Sequence, residues 1–249
     1  MLYGICNLST VPIRLESSDK SELVSQLLYG DHFKILEQRK SWSKIRVAFD
    51  NYEGWVDNKQ YIEIDKVQYE FLEAEKSNTS KDLVEFIQDS NHQLHAIIIG
   101  SSLNGLSILN HTFDGHAMKG ISSKSNIVPS SFLYLNSPYL WGGKTPFGID
   151  CSGFTQMVYK INGYKLLRDA SQQATQGEAL SFIEESEPGD LAFFDNNEGH
   201  IIHVGIIMAD NYIIHAHGKV RIDRLDNFGI YNVDKKTHTH RLRVIKKII

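Results

Sequence analysis

The segment Asp150-Cys151-Ser152-Gly153-Phe154 commits this chain to a helix that begins on a cysteine. Asp150 is a strong N-cap residue, its carboxylate accepting from the unpaired amides of a first turn. Phe154, Met157, Val158 and Ile161 then recur at three- and four-residue spacing on one face, and Gly163 is a C-terminal stop. Cys151 therefore falls at about the first helical position. There the macrodipole favours thiolate over thiol and can lower a cysteine pKa from about 8.5 towards neutrality. The Asp150 carboxylate opposes that effect, so its charge needs a partner, such as an imidazolium or a substrate amine.

A hairpin downstream supplies the imidazoles. Residues 201–208 read as a strand, Ala209-Asp210-Asn211 as a turn and residues 212–216 as the returning strand. A three-residue turn pairs Met208 with Tyr212. It sets His215 opposite Gly205, on the same face as His203 and diagonal to it, about 7 to 8 Å away and within reach of two rings. The missing side chain at Gly205 leaves room for the second imidazole. The same register puts His217 directly opposite His203, and geometry does not choose between the two; a one-residue slip would remove both. His32, His92, His95, His111, His116, His238 and His240 read as surface or structural residues, and His200 is left unassigned.

A lone cysteine is more often a small buried apolar residue than a nucleophile. A helix-tip cysteine followed by paired strand histidines shifts that reading to thiol nucleophilic catalysis. No HExxH run or paired CxxC spacing accompanies them, so no metal and no organic cofactor is implied.

The remaining composition narrows the class. The chain has 249 residues with 41% hydrophobic content, enough for two or more packed domains. A net charge of -4 and the absence of any Lys/Arg block argue against a nucleic-acid or polybasic membrane partner. Cys6 and Cys151 are too few for a disulfide framework, and a bridge between them would consume the nucleophile, so a reducing, cytoplasmic compartment is expected. The first twenty residues lack an apolar run of signal-peptide length, and nothing approaches the roughly 18 apolar residues of a membrane span.

Residues 3–8, 11–15, 33–38, 42–49 and 54–56 read as short strands of a small barrel spanning 1–64, with 21–28 as helical turn or loop. Asp31, Trp42-Ser43-Lys44-Ile45-Arg46-Val47 and Gly54-Trp55-Val56 resemble bacterial SH3 domains. In 66–122, stretches 67–75, 94–99 and 106–109 look strand-like and 80–88 helical after a Ser80 cap. This segment is taken as a second, divergent SH3 domain. Residues 122–126 form a linker, followed by a helix-like stretch at 128–135.

Asp150-Cys151-Ser152-Gly153-Phe154, Gly189-Asp190-Leu191-Ala192-Phe193-Phe194, His203-Val204-Gly205-Ile206 and Ile214-His215-Ala216 together resemble the ordered motifs of the NlpC/P60 family of cysteine peptidases, over residues 126–249. The resemblance implies an α+β chain: two small SH3-like β-barrels, then a papain-like domain with the cysteine helix packed on an antiparallel sheet bearing the histidines. It carries the catalytic cysteine to Cys151, the base to His203 and the third polar residue to His215, and so favours His215 over His217.

A narrower resemblance is to enzymes that join bacterial SH3 domains to this domain and cut free murein peptides between D-glutamate and a diamino acid. It rests on Asp50-Asn51-Tyr52-Glu53-Gly54-Trp55, Trp141-Gly142-Gly143 and Arg168-Asp169-Ala170-Ser171-Gln172-Gln173. In that group the SH3 tyrosine closes the pocket over the N-terminal amine of L-alanine. The resemblance therefore assigns substrate contacts to Tyr52, Asp150, Ser152, Trp141, Asp169, Ala170, Ser171 and Glu16. A pocket demanding a free ammonium excludes intact murein, whose L-alanine amine is blocked by muramic acid.

The implied protein is a cytoplasmic, monomeric peptidase of murein peptide recycling. Cys151 attacks the gamma-glutamyl carbonyl, His203 moves the proton, His215 orients His203, and the Cys151 backbone amide is a candidate oxyanion donor. Three alternatives stay open: an amidase or acyltransferase on the same scaffold, a non-catalytic wall-peptide binding protein, and a metal-dependent hydrolase.

Overall fold

The structure is a computed structural model describing residues 1–249. It divides into two compact units. The first comprises Met1–Ile121, Trp141–Pro146 and Gly163–Lys165, and the second Ser122–Leu140, Phe147–Asn162 and Leu166–Ile249.

In the first unit, β1 (Leu2–Ile5), β2 (Thr10–Arg14), β3 (Leu23–Leu28), β4 (His32–Gln38), β5 (Trp42–Val47), β6 (Glu53–Asp57) and β7 (Ile62–Ile64) form one antiparallel sheet in the order β3-β2-β6-β5-β4-β1-β7. It curls around Cys6, Val11, Ile13, Leu27, Phe33, Ile45 and Val56. Period-two alternation made most of these strands legible, each placing apolar side chains inward. The exceptions are β7, not read as a strand, and β3, read as helical turn or loop. Its residues Ser25 and Leu27 point inward while its backbone pairs with β2, a partner that local sequence does not reveal.

Residues 66–121 do not build a second seven-stranded barrel. They form α1 (Lys66–Ala74), β8 (Asn78–Ser80), β9 (Val84–Gln88), β10 (Leu94–Ile98), α2 (Leu106–Leu109) and β11 (Ala117–Lys119), with only the two-stranded pairs β9–β10 and β8–β11. Stretch 67–75, expected as a strand, is helical because Asp65 and Gln68 cap each other reciprocally and Tyr69 and Leu72 bury one face. That face packs with Ile5 and Ile64 of the barrel, which makes this segment continuous with it. Conversely, 80–88 is extended, because β10 pairs with it across a turn in which Asp89 accepts from the amides of Asn91 and Gln93. Stretch 106–109 is a single helical turn, not a strand. The two-residue β12 (Lys144–Thr145) also belongs to this unit.

The second unit begins at the expected linker, where a short 3-10 turn spans Lys124–Asn126, and continues with α3 (Ile127–Ser131). It then contains β13 (Gly148–Ile149), α4 (Cys151–Lys160), α5 (Ala170–Gln173), β14 (Glu178–Leu180), β15 (Leu191–Asp195), β16 (Ile201–Ile207), β17 (Tyr212–His217), β18 (Lys219–Asp226), β19 (Gly229–Asn232) and β20 (Thr237–Lys247). The sheet runs β14-β20-β15-β16-β17-β18-β19, and a further β19–β20 ladder closes six of these strands on themselves. Ala192, Phe194, Ile207, Ile213, Leu225, Ile230 and Ile245 fill the interior. Helix α4, with Phe154, Met157 and Val158 fully buried, packs across β16 and β17. No helix is long and apolar enough to cross a membrane.

Candidate active site

The tip of α4 is built as its sequence requires. Asp150 is extended (φ -91°, ψ 179°), and its Oδ1 accepts from the Gly153 amide at 2.6 Å. The carboxylate's charge partner within the protein is a guanidinium. Arg168, itself buried, donates from Nη2 to Oδ2 at 2.6 Å and from Nη1 to Oδ1 at 3.0 Å, and its Nη1 also reaches Ser152 Oγ at 3.0 Å. Gln173 ties the same turn down, its Nε2 donating to the carbonyls of Ser152 and Leu167 at 2.9 Å while Thr155 Oγ1 donates to its Oε1. Helix tip, Arg168 and α5 thus form one hydrogen-bonded block.

Cys151 retains 6% exposure. Its sulfur receives backbone N–H groups from Val204 and Ser152. The β16–β17 ladder runs through Ile206–Ile214 and Ile207–Ile213, and beyond it the Val204 amide turns to the sulfur. Burial, followed by the Asp150 charge, pushes the Cys151 thiol up to about 12, against the pull of Val204, Arg168 and Ser152. The ionised sulfur expected at the helix tip is therefore a neutral thiol at rest. The dipole acts on it, but desolvation of a thiolate is the larger cost. Burial and then the Cys151 and Asp150 charges raise the pKa of Tyr139, so its hydroxyl stays protonated.

The hairpin has the expected register, with Ile206 opposite Ile214 and the Met208 amide donating to the Tyr212 carbonyl at 2.9 Å. His203 Nε2 and His215 Nδ1 are 2.8 Å apart, and their rings meet edge to face. The His217 ring lies 6.4 Å from His203 between centroids, so His215 is the bonded neighbour. A Cβ placed on Gly205 would stand 2.9 Å from the Cβ of His215, which is the physical reason for glycine there. His215 Nε2 lies 3.1 Å from Asp223 Oδ2 on β18. Burial, and then the neighbouring imidazoles of His215, His240 and His217, hold His203 well below the usual histidine range. It is a neutral imidazole at neutral pH.

His240, expected as a surface or structural residue, stacks on His203 with centroids 4.2 Å apart and planes 23° from parallel. Burial and the adjacent imidazoles depress it to about 4. Tyr139, Ile202, His203, His217 and His240 line an open cleft that gives access to the base.

The other expected substrate residues are distributed as follows. Asp169 caps α5 through Gln172, Ala170 is buried at its first turn, and Ser171 is exposed beside it. Tyr52, Glu16 and Trp141 lie in the first unit. Tyr52 is half-buried at the β5–β6 turn, its amide donating to Asp50 Oδ1. Glu16 is exposed, and Trp141 donates from Nε1 to Glu22 Oε1 at 2.6 Å.

Sequence reasoning missed Asp223, His240 and Tyr139, and noted Arg168 only as part of a motif. The alternation Val220-Arg221-Ile222-Asp223 sets Asp223 on the strand face of Arg221, opposite Val220 and Ile222, and so gave no sign that Asp223 is buried. Nothing local marks His240, which β-sheet closure brings to the site.

Both units of the chain resemble known proteins. Residues 136–240 match the NlpC/P60 family and residues 13–60 the bacterial dipeptidyl-peptidase SH3 domain. Dipeptidyl-peptidase 6 of Lysinibacillus sphaericus is 26% identical over 257 residues, covering 87% of this chain and 90% of that protein. The gamma-D-glutamyl-L-lysine dipeptidyl-peptidase of Bacillus subtilis is 39% identical over 93 residues, 36% of this chain and 31% of that protein. An NlpC/P60 family protein from Bacillus cereus shares the fold, with a TM-score of 0.76 at 16% identity over 99% of both chains.

Proposed function

Because this chain is a cysteine peptidase carrying an NlpC/P60 domain and a bacterial dipeptidyl-peptidase SH3 domain, we propose that it hydrolyses the gamma-D-glutamyl-L-diamino acid bond of small murein peptides with a free N-terminal L-alanine. Its place is the recycling of wall peptides in the cytoplasm, acting as a monomer. The observation that carries the reading is the pairing of the Cys151 thiol with the amide of Val204, the residue that follows His203, whose Nε2 is bonded to His215. The names of two relatives, both gamma-D-glutamyl-L-lysine dipeptidyl-peptidases, support the bond.

The chemistry starts from a neutral pair. His203 spends Nε2 on His215, so Nδ1 takes the thiol proton as the sulfur attacks the gamma-glutamyl carbonyl. The Cys151 amide and the Tyr139 hydroxyl donate to the developing oxyanion. Collapse expels the diamino acid's alpha-amine, which takes the proton from His203. Water then gives up a proton to the same nitrogen and hydrolyses the thioester. Asp150, paired with Arg168, presents the negative charge that draws the substrate ammonium, with Ser152 beside it.

The test is incubation with L-Ala-gamma-D-Glu-L-Lys, its diaminopimelate counterpart and the N-acetylated form of each. Release of L-Ala-gamma-D-Glu, seen by mass spectrometry from the free peptides alone, is the expected result. Equal cleavage of the acetylated peptides would sink the free-amine requirement, and full turnover by Cys151→Ala would sink the mechanism.

A further inference from the structure

The His203–His215 pair does not end at His215. Behind it Asp223 is fully buried on β18 and is held by four donors. Arg221 gives Nε to Oδ2 at 2.7 Å and Nη2 to Oδ1 at 2.9 Å, the Val233 amide gives a bond to Oδ1 at 3.0 Å, and His215 Nε2 lies 3.1 Å from Oδ2. Arg221 is itself braced by Asp234 at 2.8 Å. A carboxylate so surrounded is ionised and can only accept. His215 must therefore carry its proton on Nε2, which in a neutral imidazole makes Nδ1 an acceptor. The 2.8 Å contact to His203 Nε2 then requires His203 to donate, and its Nδ1 is left with a bare lone pair.

We infer that Asp223, held by Arg221, is a positioning residue that sets the tautomers of both imidazoles in sequence, so that His203 presents an unprotonated Nδ1 to the Cys151 thiol. The inference rests on the peptidase reading for its purpose, but its physical content concerns where two protons sit. With the opposite tautomer, His215 would donate from Nδ1 to His203 Nε2, and His203 would carry its proton on Nδ1. It could not then accept the proton of the thiol, however well the rings were placed.

Asp223→Asn is the discriminating variant. Arg221 and the Val233 amide both seek its single oxygen, which turns the amide NH2 towards His215 Nε2 and demands an acceptor there. Two-bond 1H–15N spectra of the histidines in the full chain read the tautomers without any substrate. The wild type should show Nε2–H for His203 and His215, and the variant should shift both to Nδ1–H. With the free tripeptide, kcat should fall by about 10²- to 10⁴-fold with KM little changed. An Nδ1–H signal for His203 in the wild type would overturn the inference, as would unchanged tautomers in the variant. If the tautomers behave as stated and no tripeptide is cut by the wild type, the proton order stands and the substrate assignment fails.

Discussion

Arg168 grips Asp150 through both guanidinium nitrogens, Nη2 to Oδ2 at 2.6 Å and Nη1 to Oδ1 at 3.0 Å, with both side chains buried. The pair gives the carboxylate next to Cys151 a compensating charge, and it joins the α4 tip to the chain leading into α5. Removing one partner leaves the other charge buried and uncompensated. Arg168→Met should destabilise the protein by about 3–5 kcal/mol. Arg168→Met with Asp150→Asn should recover a substantial part of that. Urea denaturation measures both, and an additive double variant would show that the two side chains do not act as a pair.

The elevated Cys151 pKa makes a kinetic prediction. Iodoacetamide labelling of the free enzyme should be slow near pH 6 and climb through pH 9 with no plateau at neutral pH. A slow rate at low pH is thus a property of a competent resting site and does not mark an inert cysteine. Turnover requires neutral His203, whose pKa is lowered, so the acid limb of kcat/KM should lie below pH 6.5. A labelling plateau between pH 6 and 8 would mean a preformed thiolate and contradict the neutral pair.

Stability should fall with acid in the same region. His203, His215, His217 and His240 all have lowered pKa values in the folded state, chiefly through burial. Below the ordinary histidine value the unfolded chain binds protons that the folded chain refuses, so ∂ΔG/∂pH is positive there. The stability is fully present above pH 6.5 and is lost as the pH falls towards about 4, the value for His240. Urea midpoints at pH 7 and pH 5 provide the check; equal midpoints would show these rings to be solvated.

Gly205→Ala isolates the fit of the hairpin. The added methyl would meet Ile213 Cδ1 at 2.7 Å and His215 Cβ at 2.9 Å. The expected cost is about 1–3 kcal/mol of stability. Displacement of the His215 ring should lower kcat by up to about 100-fold. A fully active Gly205→Ala protein would show that the His203–His215 bond tolerates such a shift.

The two rival histidines separate by the same logic. His215→Ala removes the bond to His203 and should lower kcat by about 10²- to 10⁴-fold. His217→Ala leaves that bond in place and should keep kcat within the same order of magnitude. Steady-state kinetics on the free tripeptide decide between them, and the reverse ranking would refute the assignment of His215.

The helix with its Asp150 cap, the hairpin register and the need for Gly205 were legible in the chain because each depends on neighbours a few residues apart. Capping, period and turn length are local physics. The α1 segment was misread for a related reason: the Asp65 and Gln68 capping box was a local signal, but the exposed, mostly polar face of the helix hid its period. Strand β3 and the 80–88 stretch failed differently, since each is held extended by a partner strand that local sequence does not name.

The chain by itself determined which residues could be nucleophile and base, and that one sits on a helix tip and the other on a hairpin. Tertiary structure alone decided the protonation of the sulfur, because desolvation depends on everything packed around it. It alone brought Arg168 to Asp150, Asp223 behind His215 and His240 over His203. The Asp223 contact comes from the pairing of β17 with β18, the His240 stack from β20 closing the sheet against β15 and β19, and the Arg168 pair from the chain beyond α4 folding back on its tip, and such pairing leaves no period in the sequence.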